Sequence, residues 1–260
     1  MKPAVFLFSL IIGTCFWPIH SKTLEEKGLD IAKKNELANN DFLGETSEMK
    51  MVLIDSYGTK ITRIMKGMVK EVSKDGDKSL ITFIKPNDVK GTKMLTWSHK
   101  EGDNDQWLYL PSLRRVKRIS SRNKSSSFMG SEFSYEDLGS QELEKYKHKF
   151  LKEEKKEGFD VWVLERIPTF KSGYSKQIIY IIKNYHNPII VEYFDRRGGK
   201  LKTAYFKDYK SYNVKGKTIW RASSIHMKNH QNKKESIFFW ENRKLGVEIS
   251  TRKFSKNSLK

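Results

Sequence analysis

DNDQWLYLPSLRRVKRISSRNKSSSFMGSEFSYEDL, residues 103–138, is the most informative stretch of the sequence. Within it, QWLYL (106–110) predicts a strand, because aromatic side chains and leucines alternate between its two faces. The following Pro111 predicts a turn, since proline cannot donate a hydrogen bond to a central ladder. Residues 113–119 predict a second strand with basic side chains on both faces. Such a strand suits the edge of a sheet better than its buried centre.

The second strand and the residues after it form a basic cluster that contains no acidic residue. This cluster predicts attraction to anionic head groups or to an acidic partner, worth about 1 kcal/mol per basic residue near a membrane surface. The alternative is a solvated strand pair whose arginines keep an exposed edge soluble. The cluster consists of Arg114, Arg115, Lys117, Arg118, Arg122 and Lys124.

The apolar pair Phe128 and Met129, beside Gly130, follows this basic cluster. An apolar tip after a basic hairpin is typical of a lid or of a flap that touches a membrane. The same two side chains would also suit a place in the core. The sequence leaves both interpretations open.

Charge and composition narrow the class of protein. Lys and Arg exceed Asp and Glu by 50 − 31 = 19 in 260 residues, and the isoelectric point is about 9.7, which implies an anionic partner. Fifteen Phe, eleven Tyr and six Trp favour a β-rich fold. The one cysteine, Cys15, lies in the N-terminal apolar run, so we expect no disulfide and no thiol chemistry in the remainder.

Residues 1–21 predict a signal peptide, with an apolar run over residues 4–17 and Ser21 before the cleavage point. The alternative is a lipoprotein signal acylated at Cys15, which the bulky aromatic residues after this cysteine disfavour. Either route predicts export to the periplasm. There an anionic membrane surface is the favoured partner, and nucleic acid is not expected.

The remainder, residues 22–260, predicts a single domain that is mainly β with a few helices. About eleven strands separated by Gly, Asp or Pro turns predict an antiparallel meander. The sequence predicts two or three helices, of which one spans residues 23–40 and another is a short segment within 135–149. Several strands, such as residues 177–183, are apolar on both faces. This favours a strongly curved sheet whose concave side also contacts apolar material, although an ordinary sandwich core would give the same pattern.

Motifs that would carry catalysis or bind a metal are sparse. His226 and His230 have the spacing of a helical zinc pair but lack the glutamate of the H-E-x-x-H pattern, so we interpret them as exposed turn histidines. We find no G-x-S-x-G motif, no P-loop and no cysteine nucleophile. The sequence therefore predicts a protein that is not an enzyme, with no catalytic residues, no metal site and no cofactor.

The run W-x-Y-x-P-x-x-R-R-V with F-M-G-S, within residues 106–138, resembles the outer-membrane lipoprotein-sorting (LolA-like) family. The resemblance is strongest to an uncharacterised periplasmic branch associated with lipid-exporting transporters. Three further segments resemble this branch: DFLGETSEMKMVL (41–53), VEYFDRRGGKLK (191–202) and FSKNSL (254–259).

The resemblance implies a half-open, strongly bent antiparallel sheet, an incomplete barrel with helices over its concave face. It also implies a carrier that binds the acyl chains of a lipoprotein or another lipid there and moves them between membranes. Its implied partners are an inner-membrane transporter and an outer-membrane acceptor. Because so basic a hairpin departs from the best-known carriers, an anionic lipid other than a lipoprotein remains open as the cargo.

The facing pattern and the resemblance together predict the site residues. Side chains on one strand face would form the wall, the apolar tip would form a flap, and arginines of the hairpin would bind a head group or a transporter. Trp107 and Tyr109, on the other face of the strand, would pack beneath the helices. The alternative is that the two faces of the strand exchange these roles. The predicted wall residues are Met49, Met51, Leu53, Leu108 and Leu110, the flap residues are Phe128 and Met129, and the head-group or partner residues are Arg114, Arg115 and Arg118.

A second function fits the same sequence. The protein could be a non-catalytic envelope interaction module, or a transporter adaptor, whose sheet interior is filled by its own side chains. A compact interior without a cavity would favour this alternative. An apolar hollow that admits a hydrocarbon tail would favour the carrier.

Overall fold

One antiparallel sheet of thirteen strands dominates the structure, a computed structural model that describes residues 21–260. The mainly β fold with an unclosed sheet is thereby confirmed. The predicted signal peptide, residues 1–21, lies outside the described range apart from Ser21 and stays a prediction. The strands are β1 (Gly44–Ile54), β2 (Lys60–Lys70), β3 (Lys78–Lys85), β4 (Lys93–Trp97), β5 (Asp105–Leu110), β6 (Arg115–Arg118), β7 (Tyr146–Lys156), β8 (Phe159–Pro168), β9 (Tyr174–Ile182), β10 (Pro188–Asp195), β11 (Lys200–Val214), β12 (Lys217–Asn229) and β13 (Glu235–Leu245).

The strand order shows two meanders joined by one long crossing. It runs β6-β5-β4-β3-β2-β1-β13-β12-β11-β10-β9-β8-β7. Strands β1 to β6 follow one another outward, residues 119–145 then cross to the opposite edge, and β7 to β13 return until β13 pairs with β1. We call residues 119–145 the crossing segment. The arginine-rich β6 lies at a free edge, as its two-sided charge predicts.

Strand β7 is the one that the sequence pattern misses, and the count of about eleven strands is therefore too low. Part of this segment was predicted to be a short helix, but residues 143–145 form only a 3-10 turn. Residues 152–156 are Lys and Glu alone, which are disfavoured in strands. Pairing with β8 along the length of β7 overrides this local preference.

The described residues contain one α-helix, α1 (Leu24–Asn39), where the sequence predicts two or three helices. Thr23 caps its N terminus: the Glu26 N–H donates to Thr23 Oγ1 at 3.1 Å, and the Thr23 N–H donates to the Glu26 carboxylate at 2.8 Å. The other predicted helical segment is replaced by short 3-10 turns, because its residues serve as a connection across the sheet rather than as a free surface element.

Helix α1 packs against β7 through a buried stripe. Gly28, Ile31 and Ala32 form this stripe. The apolar spacing of the sequence predicts that Leu24 belongs to it as well, but Leu24 is 48% exposed. A Cβ at Gly28 would lie 2.7 Å from the backbone nitrogen of Phe150, so only glycine permits this close approach. The N-terminal half of α1 is thus held almost in backbone contact with the sheet.

The crossing segment fills the concave face of the first five strands. Phe128 is fully buried, and its ring centroid lies 5.9 Å from that of Phe83 and 5.7 Å from that of Tyr135. The carbonyl of Met129 accepts a hydrogen bond from Arg63. This half of the concave face is therefore a packed core. The same cluster includes Met49, Met51, Met65, Met94 and Leu108.

The C-terminal residues cover the convex face of the same strands. Trp107 packs with Phe254 and Leu259, and Trp97 Nε1 donates to the Phe254 carbonyl at 2.8 Å. The aromatic side chains of β5 therefore pack beneath two 3-10 turns within residues 251–259, not beneath an α-helix.

Candidate functional site

A cavity of about 560 Å³ lies between α1, the concave face of β8 to β13 and residues 133–143 of the crossing segment, which line one side of it without filling it. Pockets that bind small molecules are typically about 300–1,000 Å³ in volume and mostly apolar. The volume and the deep wall of this cavity suit a ligand with a hydrocarbon part. Its buried apolar wall includes Phe133, Leu164, Ile179, Ile181, Val191, Ala204 and Met227.

Acidic side chains surround the more exposed end of the cavity, although the protein as a whole carries a net charge of +19. We call Glu36, Asp75, Asp77 and Glu142 the acidic mouth; all four line the cavity. The carboxylates of Glu36 and Glu142 lie within 4.8 Å of each other and of Glu144. Lys100 also lines the cavity and lies 3.3 Å from Glu144, so these carboxylates are partly compensated but still outnumber the basic group beside them.

Two carboxyls of the acidic mouth have opposite pKa shifts. Burial raises the pKa of Asp77 to about 7; a hydrogen bond from the Val72 N–H opposes this effect, and the charge of Glu142 adds to it. Burial also acts to raise the pKa of Asp75, but hydrogen bonds, foremost that from His99, outweigh it and lower the pKa to about 2. Asp75 is therefore ionised at neutral pH, whereas Asp77 is divided between its neutral and charged forms.

The titration of Asp77 is expected to lower the stability of the fold as the pH rises from about 4 to about 7. Because its folded-state pKa of about 7 exceeds the ordinary 3.8, the folded protein keeps a proton that the unfolded chain has released in this window. Asp77→Asn should therefore raise the free energy of unfolding at alkaline pH by at least about 1 kcal/mol, the equivalent of one pKa unit. Urea denaturation on both sides of neutrality measures the change.

Asp55→Asn is the matched control, since hydrogen bonds lower the pKa of this exposed turn carboxyl. Its loss removes a favourable ionised group and should give no gain at alkaline pH. An equal gain in both variants, or none in Asp77→Asn, would contradict the assignment to Asp77.

Three arginines line the cavity, and two of them share one carboxylate. Glu45 of β1 lies 2.9 Å from Arg243 Nε and 3.8 Å from Arg221 Nε. Arg221 also donates to the carbonyl of Asn39, at the C terminus of α1, at 3.0 Å. This group connects the end of the helix to β1, β12 and β13.

The third arginine, Arg166 of β8, has a different environment. It is only 9% exposed. Its Nε donates to Gln177 Oε1 at 2.6 Å and its Nη2 donates to Gln141 Oε1 at 2.9 Å, while the guanidinium lies 4.3 Å from the centroid of the Tyr146 ring. Within residues 21–260, Arg166 forms no ion pair with a carboxylate. It is a buried cation with neutral neighbours.

The C-terminal half of α1 closes one side of the cavity through side-chain hydrogen bonds. Asn35 Nδ2 donates to the carbonyl of His186 at 2.5 Å. Lys217 Nζ donates to the carbonyls of Leu37 and Asn40 at 2.6 and 2.8 Å. Such contacts are few and partly exposed to water, so this half of the helix is held less firmly than the half that contains Gly28.

The seven predicted wall and flap residues lie together, but in the filled half of the sheet. All seven belong to, or pack against, one apolar cluster with the crossing segment. Leu108 and Leu110 share the concave face with Met49 and Met51, as the alternation predicts. None of the seven lines the cavity. Their role as ligand contacts stays a prediction.

The three predicted head-group arginines are exposed at and beside the β6 edge. Arg114 follows a 3-10 turn with a φ of 47°, and Arg118 forms an ion pair with Asp105. Leu113 beside them is 61% exposed. The β6 edge, residues 113–118, therefore presents positive and apolar surface together, and its partner stays a prediction.

The wall residues that sequence reasoning missed lie on strands with two apolar faces. In β9, Ile179 and Ile181 line the cavity, whereas Ile178 and Ile182 point to the convex side. Apolar residues on both faces of these strands were the sign of a buried concave wall that the sequence offered. It could not show which strands stay uncovered, because that depends on where the distant crossing segment runs.

Comparison with known proteins places this architecture in a family. A family model described as an uncharacterized protein matches residues 75–260. A crystal structure of a candidate outer membrane lipoprotein-sorting protein domain from Vibrio parahaemolyticus is 46% identical, with a TM-score of 0.87, and the match covers 90% of this chain and 99% of that chain. The chain belongs to the LolA-like family. The resemblance given by the sequence motifs is thereby confirmed.

Two further solved structures share the LolA-like fold. A DUF1329 family protein from Desulfovibrio piger is 28% identical with a TM-score of 0.86, over 92% of this chain and 100% of that chain. A LolA superfamily protein from Nitrosomonas europaea is 18% identical with a TM-score of 0.70, over 89% and 98%, and shows the fold alone. No curated protein matches this LolA-like chain. In residues 21–260, no helix has both the length and the apolar character that a membrane crossing requires.

Proposed function

We propose that this LolA-like protein is a periplasmic, non-catalytic carrier that binds the acyl chains of a lipid or lipoprotein in the cavity beneath α1. The observation that carries the proposal is the cavity of about 560 Å³ with a buried apolar wall. The relative from Vibrio parahaemolyticus, which is described as a candidate outer membrane lipoprotein-sorting domain, supports the periplasmic setting.

The lining of the cavity explains how a chain would be held. Burial of hydrocarbon stabilises a complex by about 0.8 kcal/mol for each CH₂ group, so an acyl chain needs apolar wall rather than specific contacts. Isoleucine, leucine and valine side chains of β8 to β10 supply that wall. The acidic mouth would keep water at the exposed end, away from the apolar wall.

Helix α1 is the element through which a ligand would enter. It covers the cavity, and its C-terminal half is held by side-chain hydrogen bonds from Asn35, Lys217 and Arg221. Contacts of this kind break and reform more easily than a packed core. Movement of this half of α1 would admit or release a chain without disturbing the sheet.

A second candidate function is favoured by the β6 edge. Its combination of Leu113, which is 61% exposed, with Arg114 and Arg115 suits an anionic membrane surface or an acidic partner. A protein that only docked through this edge would be an envelope interaction module or a transporter adaptor. In the carrier, the same edge would meet the inner-membrane donor or the outer-membrane acceptor.

Ala32→Phe is expected to abolish the uptake of a hydrophobic fluorophore that acyl chains displace. Ala32 lies on α1 and lines the cavity, so a phenylalanine there occupies the space that a chain would need. Ala38→Phe is the matched control, since Ala38 lies on the same helix, is partly exposed and does not line the cavity. Fluorescence titration measures binding, and thermal unfolding shows that both variants are folded.

Equal uptake by Ala32→Phe and by the natural protein would show that the cavity is not the binding place. A complete lack of uptake by the natural protein would favour the interaction module instead. Native mass spectrometry of protein taken from its own envelope would then show whether any lipid accompanies it.

A further inference from the structure

We propose that Arg166 and Tyr193 form a subsite for an anionic oxygen group, a carboxylate or a phosphate, so that the cavity selects acidic acyl compounds. The inference rests on the proposed carrier function and names the class of ligand. It differs from the predicted head-group site at the β6 edge, because both residues lie inside the cavity.

The first argument is the buried positive charge of Arg166. Burial of a charge is costly unless a counter-charge and hydrogen bonds compensate it. The other two arginines of the cavity share Glu45. Arg166 has only the amide oxygens of Gln141 and Gln177, and its Nη1 has no hydrogen-bond partner within residues 21–260. An anion in the cavity would supply the missing counter-charge.

The acidic residues closest to this region are engaged elsewhere. Asp137 forms an ion pair with Lys202 at 2.6 Å and accepts a hydrogen bond from Tyr174 Oη at 2.8 Å. Glu136 accepts a hydrogen bond from the Gly173 N–H at 2.9 Å, and burial raises the pKa of this carboxyl. Neither carboxyl is therefore the partner that Arg166 lacks.

Tyr193 supplies a second donor. It faces the cavity from β10. Gln177 of β9 is the register partner of both Tyr193 and Arg166, so these two residues lie on either side of it in the sheet. In the part of the chain that the structure describes, its hydroxyl has no hydrogen-bond partner. Burial raises the pKa of Tyr193 far above the usual value. The hydroxyl therefore stays protonated and can donate to an oxygen anion.

The surroundings favour a ligand that is both acidic and apolar. A guanidinium presents parallel N–H groups that match carboxylate and phosphate oxygens. Leu164 and Ile179, the next residue pair on the same face of β8 and β9, begin the apolar wall. The acidic mouth repels an anion at the entrance, so the favoured place for the acid group is the interior beside Arg166.

The test compares ligands with the same chain and different ends. Laurate, lauryl phosphate and lauryl alcohol are titrated against the natural protein by displacement of a bound hydrophobic fluorophore, and inorganic phosphate is titrated by calorimetry. We expect the two acids to bind about tenfold or more tightly than the alcohol, as hydrogen bonds to a charged group predict. Inorganic phosphate alone should bind weakly or not at all, because it gains nothing from the apolar wall.

Variants assign the preference to its residues. Arg166→Gln should bring the ratio of acid to alcohol affinity close to one, whereas Arg166→Lys, which keeps the charge, should retain most of it. Tyr193→Phe removes only a hydroxyl and should lower the ratio by a few-fold. The control is Arg252→Gln, an exposed residue of the C-terminal 3-10 turn, which should leave the ratio unchanged. Thermal unfolding of each variant establishes that it is folded.

The outcomes separate the two proposals. Binding of the alcohol with no preference for acids, or a preference that survives in Arg166→Gln and Tyr193→Phe, overturns the subsite and leaves the carrier function standing. Arg166-dependent binding of inorganic phosphate without binding of any acyl compound supports the anion site and overturns the carrier. Binding of none of the four compounds overturns both.

Discussion

Phe128→Ala is expected to lower the free energy of unfolding by about 3–5 kcal/mol, the usual cost of removing a buried aromatic ring from a core. Phe128 has no exposed surface and contacts the rings of Phe83 and Tyr135. Its loss would leave a void between the crossing segment and the concave face of the first five strands. Chemical denaturation measures the change.

The control and the binding assay together distinguish a core residue from a flap. Phe159→Ala removes the same ring from β8, where Phe159 is 36% exposed, and should cost about 1 kcal/mol or less. Because Phe128 does not line the cavity, Phe128→Ala should still bind an acyl chain under conditions in which it is folded. Loss of binding with little loss of stability would instead support the flap that the sequence suggests.

Lys202→Met is expected to lower the free energy of unfolding by about 3–5 kcal/mol, because it leaves the buried carboxylate of Asp137 without its counter-charge. The side chains of Lys202 and Asp137 are 4% and 5% exposed and lie 2.6 Å apart. Lys202 Nζ also donates to the carbonyl of Glu132 at 2.9 Å. The pair therefore fixes residues 132–137 of the crossing segment to β11, beside the cavity.

A neighbouring ion pair provides the control. Lys200 lies two residues earlier on β11 and is also 2.6 Å from a carboxylate, that of Glu192, but its side chain is 43% exposed. Lys200→Met should cost about 1 kcal/mol or less, since water screens such a pair. Adding Asp137→Asn to Lys202→Met should recover much of the loss by removing the uncompensated charge. Equal costs for the two lysines would contradict the role assigned to burial.

Local signals were sufficient for most of the sheet. Strand β10 runs from Pro188 to Asp195, as its sequence predicts, because proline starts it and the turn at Asp195 ends it. The Gly198 N–H donates to the Asp195 carbonyl and closes this turn. The alternation in β5 likewise predicted that Leu108 and Trp107 lie on opposite faces, although it left open which face is concave; the structure places them in separate clusters. These features depend on residues that are close in sequence.

The remainder depends on contacts between distant residues. Strand β7 forms from Lys- and Glu-rich sequence only because β8 pairs with it. The position of the cavity follows from the path of the crossing segment, which buries Met49 and Met51 and leaves Ile179 and Ile181 facing open space. Arg166 is an ordinary strand arginine in the sequence. Its lack of a counter-charge is a property of loops and strands that fold around it.

The two unequal attachments of α1 restrict how the cavity can open. A rise of the entire helix would separate Gly28 from the β7 backbone, which it approaches so closely that no Cβ fits between them. A rotation about Gly28 would break the hydrogen bonds of Asn35, Lys217 and Arg221 at the far end and would lift Ile31 and Ala32 from the buried stripe. In the proposed carrier, Gly28 would then act as a pivot, and the entrance would widen over β11 and β12 before it widened over β7.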